Sequence, residues 1–212
     1  MPRTRRYFFD GVPYHILNRA NRRQQIFTHS YDYECFISTL ADALTKHPVQ
    51  LFAFVVMPTH FHLVLRASPA VAISAFMDRF MNAHIRRYHR YRELWGTGHL
   101  YQGRFKDFGI QSDHHLLTVL RYVEANPLRA RLVDRAEDWP WSSLTSKADK
   151  GGRPLLTESP VPRPYNWIEL VNRRLPLPTE ARIRTSVQRQ VEYGDAEWLR
   201  VLEQRRNGDS QK

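Results

Sequence analysis

Apolar side chains recur along this chain with two different periods. Between residues 31 and 46, Tyr33, Phe36, Ile37, Leu40 and Leu44 fall three or four apart, the spacing of one helical face. Residues 70–94 repeat the pattern with Ile73, Phe76, Phe80 and Ile85, which predicts a long amphipathic helix with a basic C-terminal end. A third such stretch, "SDHHLLTVLRYVEAN" (residues 112–126), opens on an N-cap signature and stops at Pro127. Between these lie short runs rich in β-branched and aromatic residues: "YHILN" (14–18), "VQLFAFVVM" (49–57), "HFHLVLR" (60–66) and "YQGRFKDFGIQ" (101–111). Each reads as a strand, and Pro58 with Thr59 turns the second into the third as a hairpin.

The predicted order is β, α, β, β, α, β, α. That is the pattern of an α+β fold, a ferredoxin-like or RRM-like antiparallel sheet with helices on one face and "HFHLVLR" on a central strand. With 212 residues the chain can bury one core and carry an appendage. Residues 1–148 are expected to form the domain. Six prolines between Arg153 and Pro178 predict an extended linker over 149–178. Residues 179–212 read as a basic helical extension, with Thr179 capping a helix that holds Ile183, Val187 and Val191, and Asp195 starting another that holds Leu199 and Leu202.

Charge narrows the functional class. Lys and Arg number 32 against 21 Asp and Glu, a formal charge of +11, which fits a partner that is a polyanion, though a merely solubilising surface would also be basic. Arginines alternate with aromatics in "IRRYHRYRELW" (85–95) and "YQGRFKDF" (101–108), an interleaving that suits single-stranded nucleic acid. The lone Cys35 leaves no internal disulfide and no cysteine zinc cage. No apolar run reaches membrane-spanning length, and "MPRTRRYFF" lacks the apolar core of a signal peptide, so a cytoplasmic location and no membrane partner are expected.

The candidate chemistry sits on the third strand. Strand alternation puts His60 and His62 on one face and Phe61, Leu63 and Leu65 on the other, so two imidazoles can grip one ion. Alone the pair is weak, because ten histidines in 212 positions give about half such a pair by chance. On the 112–126 helix Tyr122 and Asn126 stand four apart on one face, opposite Leu116, Leu117, Leu120 and Val123. An ordinary half-buried tyrosine and a helix C-cap before proline would produce the same spacing. Elsewhere His114 and His115 are adjacent and not expected to face one way. His84 and His89 are five apart, and His15 and His99 have no neighbour in the sequence. No HExxH, Walker loop or GxSxG is present.

Taken together, "VPYHILNRANRRQQIF", "MPTHFHLVL", "GHLYQGRFKDF", "RYVEANPLRARLV" and "WPWSSL" resemble the REP-associated tyrosine transposases, relatives of the single-tyrosine HUH transposases of small bacterial insertion sequences. The resemblance runs from Pro13 to Leu144 and fades after Arg153. It implies that His60, Phe61 and His62 are the HUH motif, that Tyr122 is the nucleophile, and that Asn126 completes a site for Mg²⁺ or Mn²⁺. Thr59 departs from the family, which usually has Asn there. The implied reaction is cleavage of single-stranded DNA beside a hairpin, from repetitive extragenic palindromes, through a 5′-phosphotyrosine intermediate followed by strand transfer. Arg104, Lys106, Arg129 and Arg131 are the expected phosphate contacts. The resemblance leaves open whether the protein acts as a monomer or a homodimer. Two other readings of the residues stand beside it: a nucleic-acid-binding regulator with the same fold and no cleavage activity, and a metal phosphodiesterase that uses water in place of tyrosine.

Overall fold

The strands form where the alternation places them, and their order decides what they carry. The computed structural model describes residues 6–94, 96, 98–145 and 156–209. Strands β1 (Tyr14–Arg19), β2 (Gln50–Met57), β3 (His60–Arg66) and β4 (Lys106–Gly109) make one sheet in the order β2-β3-β1-β4, every neighbouring pair antiparallel. Helix α1 (Ser30–Lys46) joins β1 to β2, and α2 (Ala72–Tyr91) joins β3 to β4. This is the expected split βαβ arrangement, with β3 at the centre.

Register fixes the two faces. Leu17 lies opposite His62 and Arg19 opposite His60 on one side of β3, with Val55 and Met57 opposite the same histidines on the other. Those side chains share one face, while Ile16, Phe54, Phe61, Leu63 and Leu65 share the other and bury against Phe36, Leu40, Phe76 and Phe80 of α1 and α2.

The expectation of helices on one face holds for α1 and α2, but the other face is not bare. Helix α3 (His114–Glu124) lies across it, burying Leu116, Val119, Leu120 and Val123 against Val55, Val64 and Phe108. The cause is legible in β2, whose Phe52 to Val56 are all fully buried. A continuous apolar run is what a strand covered on both faces needs. Among the described residues, α3 leaves uncovered the end of this face that carries the histidines. Strand β4 is shorter than the 101–111 expected, because Gly103 takes φ 157° and Tyr101 makes an isolated pairing with Ala20 instead.

The C-terminal third is more tightly bound than its prolines imply. Within the stretch expected to be an extended linker, Trp167–Asn172 forms helix α5, and Trp167, Val171 and Leu175 are buried with α3. A buried acid explains the attachment: Glu124 of α3 accepts from Trp167 Nε1 at 2.7 Å, Ser143 Oγ at 2.8 Å and Arg163 Nη2 at 3.4 Å. Residues 146–155, which include the start of that stretch, lie outside the described residues.

Helix α6 (Leu177–Arg189) begins before Thr179, with Pro178 in its first turn where a missing N–H is harmless. It ends at Gln190 in the left-handed region, so Val191 falls outside it. Asp195 caps α7 (Ala196–Asp209) as expected, accepting from Trp198 N at 2.8 Å. Between them Tyr193 bonds the free edge of β4, donating to Gly109 O at 2.8 Å. No described helix is long and apolar enough to cross a membrane.

Candidate active site

His60 and His62 project from the open end of the β3 face, their ring centroids 5.0 Å apart. Each ring has its Nδ1 engaged by the protein: His60 Nδ1 lies 2.9 Å from Thr59 Oγ1, and His62 Nδ1 lies 2.7 Å from His15 Nε2. Nε2 is therefore the nitrogen left on each ring. Burial, followed by the neighbouring Arg19 and Arg129, pulls the His60 imidazole down to about 4. Burial, then His15 and His60, takes His62 well below its ordinary value. Both rings are thus neutral at physiological pH, the state in which imidazole binds a metal.

Across the gap stand Tyr122 and Asn126. Helix α3 stops at Glu124, and Ala125 joins it to a short helix α4 (Asn126–Arg129), so the two residues flank a joint and do not share one continuous helix to residue 126 as expected. They still face the same way. The rings of Tyr122 and His62 meet edge to face at 6.3 Å between centroids. Tyr122 is 7% and Asn126 8% exposed, and the Asn126 carboxamide nitrogen is buried with no hydrogen-bond partner.

These four residues line one cavity of about 720 Å³. Its walls also carry Arg19 of β1, Arg104, Lys106, Arg129, and Arg184 and Gln188 of α6, and among the described residues no acidic side chain lines it. A single chain thus supplies both histidines and the tyrosine, and the field in the cavity suits an anion.

Arg104, Lys106 and Arg129, three of the four residues expected to contact phosphate, line this cavity. Arg131 does not: its backbone turns left-handed past the end of α4, at φ 55°, and it lines an adjoining hollow with Arg121 and Arg173 that shares Arg129 and Arg184 with the cavity. Arg129 is engaged with the tyrosine itself, its guanidinium 3.8 Å from the Tyr122 ring centroid and Nη1 donating to Tyr122 O at 2.7 Å.

Other expectations need correction. In the interleaved "IRRYHRYRELW" some residues serve the fold: Arg87 bonds Thr39 and Asp42, and Tyr91 and Arg92 both bond Asp32, all on the α1 and α2 side of the sheet, while Arg86 and Arg90 are exposed. His114 and His115 do face one way, their ring centroids 4.0 Å apart beside the Asp113 carboxylate. Asp113 is the N-cap of α3, accepting from His115 N at 2.7 Å and Nδ1 at 2.8 Å, so this acid is already spent on helix capping; none of the three residues lines the cavity.

His15 was expected to lack neighbours and instead touches His62, 47 residues away. Its signal was the alternation of His15, Leu17 and Arg19 in "YHILNR", which becomes informative only once β1 is known to pair with β3. Arg184 and Gln188 had no signal in the sequence, because nothing there says α6 returns to the sheet.

Residues 9–126, from the approach to β1 through Asn126, match the family model described as "Transposase IS200 like". The chain belongs to that family. Its four central site residues all fall inside the matched span. This transposase is 23% identical over 156 residues to the REP-associated tyrosine transposase of Escherichia coli, covering 73% of this chain and 90% of the relative. It is 25% identical over 171 residues to a Haemophilus influenzae protein provisionally given the same name, covering 74% and 97%. A solved REP-associated tyrosine transposase bound to a REP hairpin shares its fold, with a TM-score of 0.57 at 21% identity over 73% of this chain and 90% of that one.

Proposed function

We propose that this transposase cuts and rejoins single-stranded DNA beside a hairpin, with Tyr122 as nucleophile and His60, His62 and Asn126 as the residues that hold a divalent cation, Mg²⁺ or Mn²⁺. The observation that carries the reading is the convergence of a neutral histidine pair, a buried tyrosine and an unsatisfied buried carboxamide on one basic cavity. The donor set fits such an ion. Two imidazole nitrogens with a carboxamide, which can present its oxygen by turning half a revolution, suit Mn²⁺ somewhat better than Mg²⁺. When bound, the cation supplies charge neutralisation at the scissile phosphate and polarises it toward attack.

The chain's own groups do the rest. Arg19, Arg104, Lys106 and Arg184 line the cavity as cations for the DNA backbone, holding a phosphodiester where Tyr122 can reach it. The Tyr122 oxygen attacks phosphorus, a Tyr–O–P bond forms to the 5′ side, and the P–O3′ bond breaks, the phenolic proton ending on the departing 3′ oxygen. A phenol is a poor nucleophile at neutral pH, and Arg129 stacked on its ring opposes the negative charge that develops as the proton leaves. The phosphoester energy is retained in the covalent link, so a 3′-hydroxyl can reverse the step and join strands.

Support for a hairpin substrate comes from the relatives, which are named for REP association, and from the solved relative, which is bound to a REP hairpin. Residues 1–148 are the catalytic domain in this reading, and the helices after residue 176 complete the cavity wall through Arg184 and Gln188. The cytoplasm, where the chromosome lies, is the place of action. The test is cleavage of end-labelled hairpin oligonucleotides with single-stranded flanks, by wild type and Tyr122→Phe in Mn²⁺ and in EDTA. Cleavage by wild type in Mn²⁺ only, with none by the variant, is expected. Equal cleavage by Tyr122→Phe would point to water as the nucleophile and remove the proposal.

A further inference from the structure

We propose that His15 is a positioning residue that fixes the ring orientation and tautomer of His62 so that Nε2 faces the divalent cation. The inference rests on the reading of His60 and His62 as metal ligands and adds what makes one of them competent.

The geometry leaves little freedom. His15 Nε2 and His62 Nδ1 are 2.7 Å apart, with the residues 1% and 4% exposed, so water does not compete for the contact. The antiparallel register of β1 on β3 sets it: Leu17 is opposite His62, and His15 is the next residue along the same face. Phe108 of β4 packs against the His15 ring at 4.8 Å between centroids and keeps it from swinging away.

Two facing ring nitrogens at this distance hold one hydrogen between them; none would oppose two lone pairs, and two would clash. If His62 donates, its lone pair lies on Nε2 and the ring can ligate. If His15 donates, His62 carries its hydrogen on Nε2 and cannot. His15 as the acceptor holds the first arrangement before a cation arrives, leaving the Nε2 lone pair ready for it. Thr59 Oγ1 serves His60 Nδ1 in the same manner, so both rings are turned alike.

Metal-bound histidines usually donate their second N–H to a carboxylate, a carbonyl or water. An imidazole in that place orients the ring without adding negative charge. The cavity then keeps the whole positive charge of the ion for a phosphate.

The test uses the full chain and Mn²⁺ as probe. Affinity is measured by titration calorimetry and Mn²⁺ electron paramagnetic resonance for wild type, His15→Phe, His15→Gln and His62→Ala, with circular dichroism as the check on folding. His15→Phe should bind Mn²⁺ about 10–100-fold more weakly. His15→Gln, whose side-chain oxygen can accept from His62, should recover most of the loss. Hairpin binding in EDTA should be unchanged in both. Nitrogen-15 spectra of the metal-free wild type should show His62 protonated on Nδ1. A folded His15→Phe with wild-type Mn²⁺ affinity would overturn the inference. Should that variant fail to fold, a His62 signal protonated on Nε2 in the wild type would overturn it equally. If His62→Ala binds Mn²⁺ as tightly as wild type, it is the underlying assignment of the metal ligands that fails.

Discussion

Arg129 gives the sharpest quantitative handle on how the nucleophile is held. Its Nη1 donates to the Tyr122 carbonyl at 2.7 Å, and its guanidinium lies 3.8 Å from the ring centroid. A hydrogen bond from a charged donor contributes roughly 1.5–3 kcal/mol, and a partly desolvated cation over an aromatic ring roughly 0.5–2 kcal/mol. Removing both with Arg129→Ala therefore frees Tyr122 at a cost of about 2–5 kcal/mol. Part of that falls on stability. Glu180 is spared, because it keeps Arg184 at 2.6 Å and loses only a contact at 3.9 Å. If half or more is expressed at the attack step, cleavage slows by about 5- to 4,000-fold, since 1.4 kcal/mol is tenfold. Arg129→Lys keeps charge but loses the planar fork, so it should fall between the two. The assay is single-turnover cleavage with DNA saturating, which separates attack from binding. A folded Arg129→Ala that cleaves within twofold of wild type would refute the claim that this arginine positions the tyrosine.

The remaining predictions concern the fold, the cavity wall and the C-terminal attachment. Burial pushes the Asp32 carboxyl up, but hydrogen bonds from Tyr91, the His29 and Thr28 amides and Arg92 outweigh it and hold it at about 2 against an ordinary 3.8. That difference contributes about 2–3 kcal/mol above pH 4 and is lost as pH falls from about 4 to 2. Urea unfolding of Asp32→Asn should show this loss at pH 7 and a flatter acid limb, and unchanged curves would contradict it. Arg184→Ala should weaken hairpin binding and lower the salt slope by about one, read by titration over a range of salt concentrations; an unaltered slope would mean that α6 does not touch the DNA backbone. Trp167→Phe, which deletes one hydrogen bond to the buried Glu124, should cost about 1–3 kcal/mol in unfolding. A neutral result there would mean that the tryptophan does not anchor the C-terminal region.

Much of this was legible before any coordinates. Period-two and period-3.6 patterns placed the four strands and helices α1, α2 and α3, because each of those elements buries one continuous face whose spacing the chain must obey. The same spacing put His60 and His62 on one strand face and Tyr122 opposite the apolar face of α3, but only the family resemblance attached a function to them. His60 and His62 lie two apart on a strand, and Tyr122 sits on the side of α3 away from Leu116 and Leu120. What was not legible depended on register and return. His15 meets His62 only because β1 pairs with β3 at Leu17, and no local pattern encodes that pairing. Trp167 and Arg184 lie in a region whose prolines read as a spacer, and which is held to the core by the buried Trp167, Val171, Leu175 and Ile183 together with the hydrogen bonds to Glu124. Arg131, expected beside Arg129 as a phosphate contact, turns into the adjoining hollow because its own backbone is left-handed.

The central claim is that Tyr122 forms the covalent link. The most direct measurement is mass spectrometry of peptides after incubation with a hairpin oligonucleotide in Mn²⁺ and nuclease trimming of the adduct. The account predicts a nucleotide 5′-phosphate on the peptide containing Tyr122, absent in EDTA and absent from His60→Ala. Strands cleaved in the same reaction with no modified peptide, or with the phosphate on another residue, would contradict it.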